Sequence, residues 1–158
     1  MSKSIHHWIS AYGENHQNPT NKKIHWVCVP IIMFTLLGLL SLVNFNISLN
    51  EYVYDINISY VLIIFTLFFY LRLSIVISVG MFLTATVQLI IIYYFGSILS
   101  DQILLYIYLG VFITAWIGQF IGHKIEGKKP SFFKDLQFLL IGPAWLLSFI
   151  YQKLGIKY

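Results

Sequence analysis

Three stretches of this chain, residues 24–43, 73–95 and 103–122, contain no Asp, Glu, Lys or Arg. Crossing the hydrocarbon of a bilayer takes about 20 mostly apolar residues, and the backbone polar groups inside it must be paired within a helix or a closed barrel. Runs of this length therefore decide the fold before any other feature. A shorter apolar run, 59–71, lies between the first two and ends at Arg72. A fifth stretch, 136–151, is apolar but interrupted by Pro143, and its crossing is left open. The reading is an all-α, polytopic membrane helical bundle with four to five transmembrane helices, forming a single integral membrane domain over residues 1–158. Composition agrees: 58% of residues are hydrophobic and 10% charged, where a soluble domain carries about 25% charged.

Residues 1–23 are mostly polar and lack the apolar core of a signal peptide. They are read as an interfacial segment, and the first span as an uncleaved anchor. Positive residues near span ends stay in the cytoplasm. Lys3, Lys22 and Lys23 precede the first span, Arg72 separates the second from the third, and Lys124, Lys128, Lys129 and Lys134 follow the fourth. The remaining loops carry only Glu51, Asp55 and Asp101. Four spans with a cytoplasmic N-terminus put all these cations inside and all these acids outside. Lys153 and Lys157 would fall outside if 136–151 crossed, so that stretch either lies in the interface or returns. Arg72 also allows the second and third segments to merge into a tilted hairpin. Plentiful Lys, Ile, Asn and Tyr, with a single Arg, suggest an AT-rich bacterial genome and hence an inner-membrane location. The lone Cys28, inside an apolar run, excludes an internal disulfide and reads as a small packing residue.

This topology has a chemical consequence. All five histidines, His6, His7, His16, His25 and His123, fall on the cytoplasmic face at headgroup level. In "HQNPTNKKIH", residues 16–25, Asn18 followed by Pro19 reads as a helix N-cap with proline at the first helical position. Asn21 and His25 are four apart and share a face of that helix. Pro30 frees the carbonyl of Trp26 and is expected to bend the helix beneath His25, which would suit a pocket there. In "QFIGHKIEGKKP", residues 119–130, Gln119, His123 and Glu126 are spaced to face one way, and Gly127 and Pro130 end the helix. Gly110, Thr114, Gly118 and Gly122 recur every four positions and would let a neighbouring helix approach closely, bringing His123 toward His25.

Histidines and a carboxylate converging at the end of a bundle form a metal site, and imidazole suits Fe, Zn, Cu and Ni. Two or three of the histidines in these stretches, with the Glu126 carboxylate, are candidates to bind a metal, and Gln119 is a further metal or catalytic candidate. Asn18 and Asn21 are candidates to orient the ligands, and Lys128 and Lys129 to meet a substrate carboxylate. The plain alternative is that these side chains only anchor helix ends in the interface. For His6 and His7, beside Trp8 in an amphipathic start, that alternative is the expected one.

The stretches "YGENHQNPTNKKIHWVCVP" (12–30) and "WIGQFIGHKIEGKKPSFFKDLQFLLIGP" (116–143) resemble the two signature regions of the small membrane proteins that include the fungal 2-hydroxy fatty acid dioxygenase. The matching positions are Tyr12, His16, Asn18, Pro19, Asn21, His25 and Pro30, then Trp116, Gln119, Phe120, Gly122, His123, Glu126, Pro130, Leu136, Gln137 and Pro143. That family works in fatty acid α-oxidation. The resemblance implies an Fe(II)-dependent enzyme that uses O2 to remove one carbon from a 2-hydroxy fatty acid. It also implies that His16, His25 and His123 bind the iron. A histidine that follows the first motif histidine in fungal members is Gln17 here, and His6 or His7 is a candidate substitute. The expected partners are the 2-hydroxy fatty acid, O2 and the lipid bilayer, with no nucleic acid. Two other readings compete: a non-catalytic lipid-binding or assembly protein, and a bis-histidine haem protein.

Overall fold

The computed structural model describes residues 4–49, 52–127 and 132–158, and their side chains except those of 49 and 132–137. Six helices and one hairpin make up these residues. They are α1 (Ile5–Gly13), α2 (Pro19–Ser41), strands β1 (Asn44–Leu49) and β2 (Tyr52–Asn57), α3 (Ile58–Leu71), α4 (Ile75–Ile98), α5 (Asp101–Glu126) and α6 (Phe132–Lys153).

Local chemistry sets the helix ends. Asn18 is extended, and its side-chain oxygen accepts from the amides of Thr20 and Asn21, so α2 starts at Pro19 as its sequence requires. Gly127, at φ 72°, ends α5 in the left-handed conformation that glycine adopts without strain. Helix α2 continues through Pro30.

α2, α4 and α5 are long and apolar enough to cross a membrane. Their outward faces are apolar over most of their length; Phe82, Val87, Ile90, Tyr106, Ile113 and Ile117 are all exposed. Exposed apolar surface of that extent suits contact with a membrane or a partner. α3 has 14 residues, about 21 Å at 1.5 Å per residue, short of the roughly 30 Å of hydrocarbon. Among the described residues, three helices meet the length criterion, and α3 is too short to cross unaided. α3 and α4 are separate antiparallel helices joined at residues 72–74.

α6 packs on the turn where α3 ends and α4 begins. Its Leu140 carbonyl accepts from the Tyr70 hydroxyl near the end of α3 (2.6 Å), and its Tyr151 hydroxyl donates to the Val76 carbonyl near the start of α4 (2.9 Å). Trp145 packs on Tyr12, and Phe149 on Trp26 near the start of α2. Residues 140–151 of α6 thus meet the same end of the bundle. This part of the helix lies across that end. Lys153, at the end of α6, consequently lies at the same end of the bundle as Lys22, Lys23 and Lys124.

The loop expected around Glu51 and Asp55 is instead a hairpin, with β1 and β2 paired antiparallel from Asn44↔Asn57 to Leu49↔Tyr52. The side chain of Asn57 ties it to α2 by donating to the Ser41 carbonyl, and also donates to the Asn44 side chain.

The tightest helix pair is α2 with α5. Gly118 leaves room for Cys28, where an added Cβ would lie 2.7 Å from its sulfur, and Gly122 leaves room for the Asn21 side chain. Farther along, Gly38 receives the Tyr108 ring, 2.8 Å from where a Cβ would stand. Gly110, at the start of the expected small-residue ladder, faces open space. A four-residue step turns a helix by about 400°, so the ladder drifts by about 40° per step and leaves the interface after two.

Candidate metal centre

Three histidines meet where α6 covers the bundle. His16 sits in the turn between α1 and α2, His25 lies two turns into α2, and His123 is near the end of α5. One ring nitrogen from each lies within 4.8 Å of the others. His16 and His25 are 2% and 1% exposed, and His123 is half-buried. The ring centroids of His123 are 5.5 Å from His16 and 5.1 Å from His25.

Hydrogen bonds fix two of the rings. His16 Nδ1 is 2.7 Å from the Tyr12 carbonyl, and His25 Nδ1 is 3.0 Å from the Asn21 carbonyl. A carbonyl oxygen only accepts, so both Nδ1 atoms carry hydrogens and donate. In neutral imidazoles each Nε2 is then a bare lone pair. Yet the two Nε2 atoms face each other at 3.0 Å. Two acceptors that close repel unless a proton or a metal ion lies between them. With His123 aimed at the same point, the donor set fits a metal: three imidazoles of the kind that bind Fe, Zn, Cu or Ni. The Nδ1 bonds to carbonyls are the usual means by which a protein holds metal-binding imidazoles in one tautomer.

Aromatic rings wall the outer side. Tyr12 stacks on His16 at 4.1 Å with the planes 10° apart, and Trp145 packs on both at 5.2–5.4 Å. Gly142 makes room for the Tyr12 hydroxyl, since a Cβ there would approach it to 2.9 Å.

Glu126 is placed beside the turn rather than among the three histidines. Its carboxylate accepts from the backbone amides of Gln17 (2.7 Å) and Asn18 (3.0 Å) and from the Asn21 side-chain amide (2.9 Å). It joins the end of α5 to the segment that carries His16, at the positive N-terminal end of α2. Asn21 contributes to His25 through its backbone carbonyl, while its side chain holds Glu126. Asn18 spends its side chain on capping α2. Gln119 is 5% exposed, one helical turn from His123. His6 stacks on Tyr158, and His7 lies edge-on to Trp8; neither joins the cluster of three. Lys128, Lys129 and Pro130 lie outside the described residues, as do the side chains of Leu136 and Gln137.

Below the histidines lies an apolar cavity of about 540 Å³. α2 lines it with Val29, Ile32, Met33, Leu36 and Leu37, one face of the helix beneath His25. α3 supplies Leu62, Ile63, Thr66, Leu67 and Tyr70; α5 supplies Trp116, Gln119, Phe120 and His123. Met81 and Ala85 of α4 close the back, and Phe138 to Leu140 of α6 cover the top with Tyr12 and His16. The volume lies within the 300–1,000 Å³ usual for ligand sites. The sequence reading anticipated the histidines and a pocket beneath His25, but not the extent or lining of this cavity. Its signal was the apolar stripe at 29, 32, 33, 36 and 37, which reads equally well as ordinary packing.

Comparison with known proteins adds an independent line. A family model described as 2-hydroxy-palmitic acid dioxygenase Mpo1-like matches residues 2–154. Searches of curated proteins and of solved structures found no match. With nearly the whole chain covered and both histidine segments inside the match, the protein belongs to the Mpo1-like family.

Proposed function

We propose that this protein is a membrane-embedded, Fe(II)-dependent dioxygenase that shortens 2-hydroxy long-chain fatty acids by one carbon. The observation that carries the reading is the pair of imidazole lone pairs facing at 3.0 Å, joined by His123, at the head of an apolar cavity. The family description supplies the substrate class.

His16, His25 and His123 would hold the ion. The chemistry that Fe(II) supplies when bound is the activation of O2. The protein's own part is placement. The Tyr12 and Asn21 carbonyls orient the rings, and Glu126 holds the His16 turn against α5. The acyl tail would lie in the cavity, between α2 and α3. Its carboxylate and hydroxyl would then emerge beside His16 and His123, within reach of the Gln119 carboxamide. Lys128 and Lys129 are proposed to neutralise the carboxylate from the interface. Tyr12, Trp145 and the apolar walls keep water from the reacting carbon. One 2-hydroxy acid and one O2 balance to the acid shorter by one carbon, CO2 and water, so no external reductant is needed.

The proposed orientation puts the histidine end of the bundle in the cytoplasmic leaflet of a bacterial inner membrane, because the lysines gather there. The geometry favours a single ion over a haem. His16 and His25 have ring centroids 4.4 Å apart, which leaves no room for a macrocycle between them. A purely lipid-binding role remains the competitor that experiment must separate. Purified protein, loaded with Fe(II) and given 2-hydroxypalmitate and O2, is expected to yield pentadecanoate with about one iron per chain. No iron retention and no shortened acid after reconstitution would overturn the reading.

A further inference from the structure

The cavity beneath the histidines has a floor. Leu37, Leu62 and Ile63 belong both to its lining and to a hydrophobic cluster built on Ile92, Leu104 and Tyr108. The Tyr108 ring is wedged against Gly38, so this cluster bridges α2 and α5. α4 reaches the floor through Ala85. Counted back from the turn at residues 72–74, Leu62 on α3 and Ala85 on α4 stand at the same depth. A small side chain on one helix faces the floor beside a large one on its neighbour.

The distance from the histidines to the floor follows from helix geometry. His25 and Leu37 are twelve residues apart on α2, about 18 Å at 1.5 Å per residue. A zigzag carbon chain with bonds of about 1.5 Å and angles of about 111° advances about 1.25 Å per bond, so about 14 bonds fit. Adding the carboxyl carbon and the hydroxyl-bearing carbon at the histidines gives a chain of about 16 carbons.

We infer that Leu37, Leu62, Ile63 and Ala85 form a ruler that sets acyl chain length, because they close the cavity one 16-carbon chain below the histidine cluster. The inference rests on reading the cavity as the acyl site. It adds the residues that measure the chain. A shorter chain leaves apolar wall uncovered and loses about fourfold in affinity per missing methylene. A longer chain must displace the Tyr108 cluster or leave its head group out of reach of the histidines.

Two variants change the floor in opposite directions and leave the histidine cluster untouched. Ala85→Leu fills it, and Leu62→Ala deepens it. Two readouts are taken on the Fe(II)-loaded protein in detergent, each with acids of 10 to 20 carbons. One is displacement of labelled hexadecanoate by unhydroxylated fatty acids, which reports binding alone. The other is the kcat/KM profile for 2-hydroxy acids. The expected result is a wild-type optimum near 16 carbons, moved two to three carbons shorter in Ala85→Leu and longer in Leu62→Ala. Wild-type profiles in both variants, with binding and turnover intact, would overturn the ruler and leave the dioxygenase reading standing. A shifted binding profile without turnover of any 2-hydroxy acid would keep the ruler and remove the dioxygenase. Binding that does not depend on chain length in the wild type would also overturn the ruler. Should Leu62→Ala fail to fold, the Ala85→Leu shift decides the question.

Discussion

Replacing Glu126 by alanine separates a ligand from a clamp. The carboxylate now takes hydrogen bonds from the Gln17 and Asn18 amides and from the Asn21 side chain. Gln17 is exposed and Asn18 half-buried, so water can replace the carboxylate there. Asn21 is 0% exposed, and its side-chain oxygen already lacks a partner. Without Glu126 that buried carboxamide loses its remaining bond. Stranding a buried polar group costs about 1–3 kcal/mol, or roughly 5- to 150-fold in an equilibrium. The cost falls on the segment that carries His16 and leads to His25. Loss of a supporting contact of this kind weakens metal affinity by about 10- to 100-fold. The assay is a competition titration with a chelator of graded strength, run on wild type, Glu126→Ala and Glu126→Gln. Asp101→Asn, at the opposite end of α5, is the control. The expected result is weaker affinity in Glu126→Ala, with saturation still at one ion per chain, and an intermediate value for Glu126→Gln. Unchanged affinity would refute the clamp. A loss of stoichiometry as complete as that of His25→Ala would make Glu126 a ligand instead.

The other predictions address the cluster and the helix contacts. His16→Ala, His25→Ala and His123→Ala are each expected to lose bound metal by elemental analysis, while circular dichroism keeps the helical signal of the wild type. Gly122→Leu drives a side chain into buried Asn21 and should cost about 1–3 kcal/mol or more by overpacking. Gly110→Leu faces open space and should not lower thermal stability in detergent, since a mid-helix glycine is itself a poor helix former. Asn18→Ala removes the cap of α2 and should cost about 1 kcal/mol, a fall of about 2–4 °C in Tm for a chain of this size.

Much of the fold was legible because its signals are local. The predicted segments 59–71, 73–95 and 103–122 became α3 at Ile58–Leu71, α4 at Ile75–Ile98 and α5 at Asp101–Glu126. Hydropathy places the middle of such a helix, while caps set its ends, as Asn18 and Gly127 do. Cys28 packs on Gly118 as a small core residue would. The hairpin was within reach of a finer reading. Two runs rich in Ile, Tyr, Val and Phe stand two residues apart at 44–49 and 52–57, which is a hairpin signature. Polar side chains in both runs concealed it as a loop.

The sequence alone showed three runs long and apolar enough to cross a membrane, the caps that start α2 and end α5, and two histidine stretches spaced to meet at one end. Charge and hydropathy act over a few residues, so they survive in the linear order. Only the tertiary structure decided that α6 lies across the bundle, that Glu126 binds the turn amides, and that a floored cavity opens beneath the histidines. Each of these depends on residues about 70 to 110 positions apart meeting at one depth. The facing imidazoles show the same division. Their spacing was readable, but the 3.0 Å between their lone pairs came from how the α1–α2 turn folds back on α2.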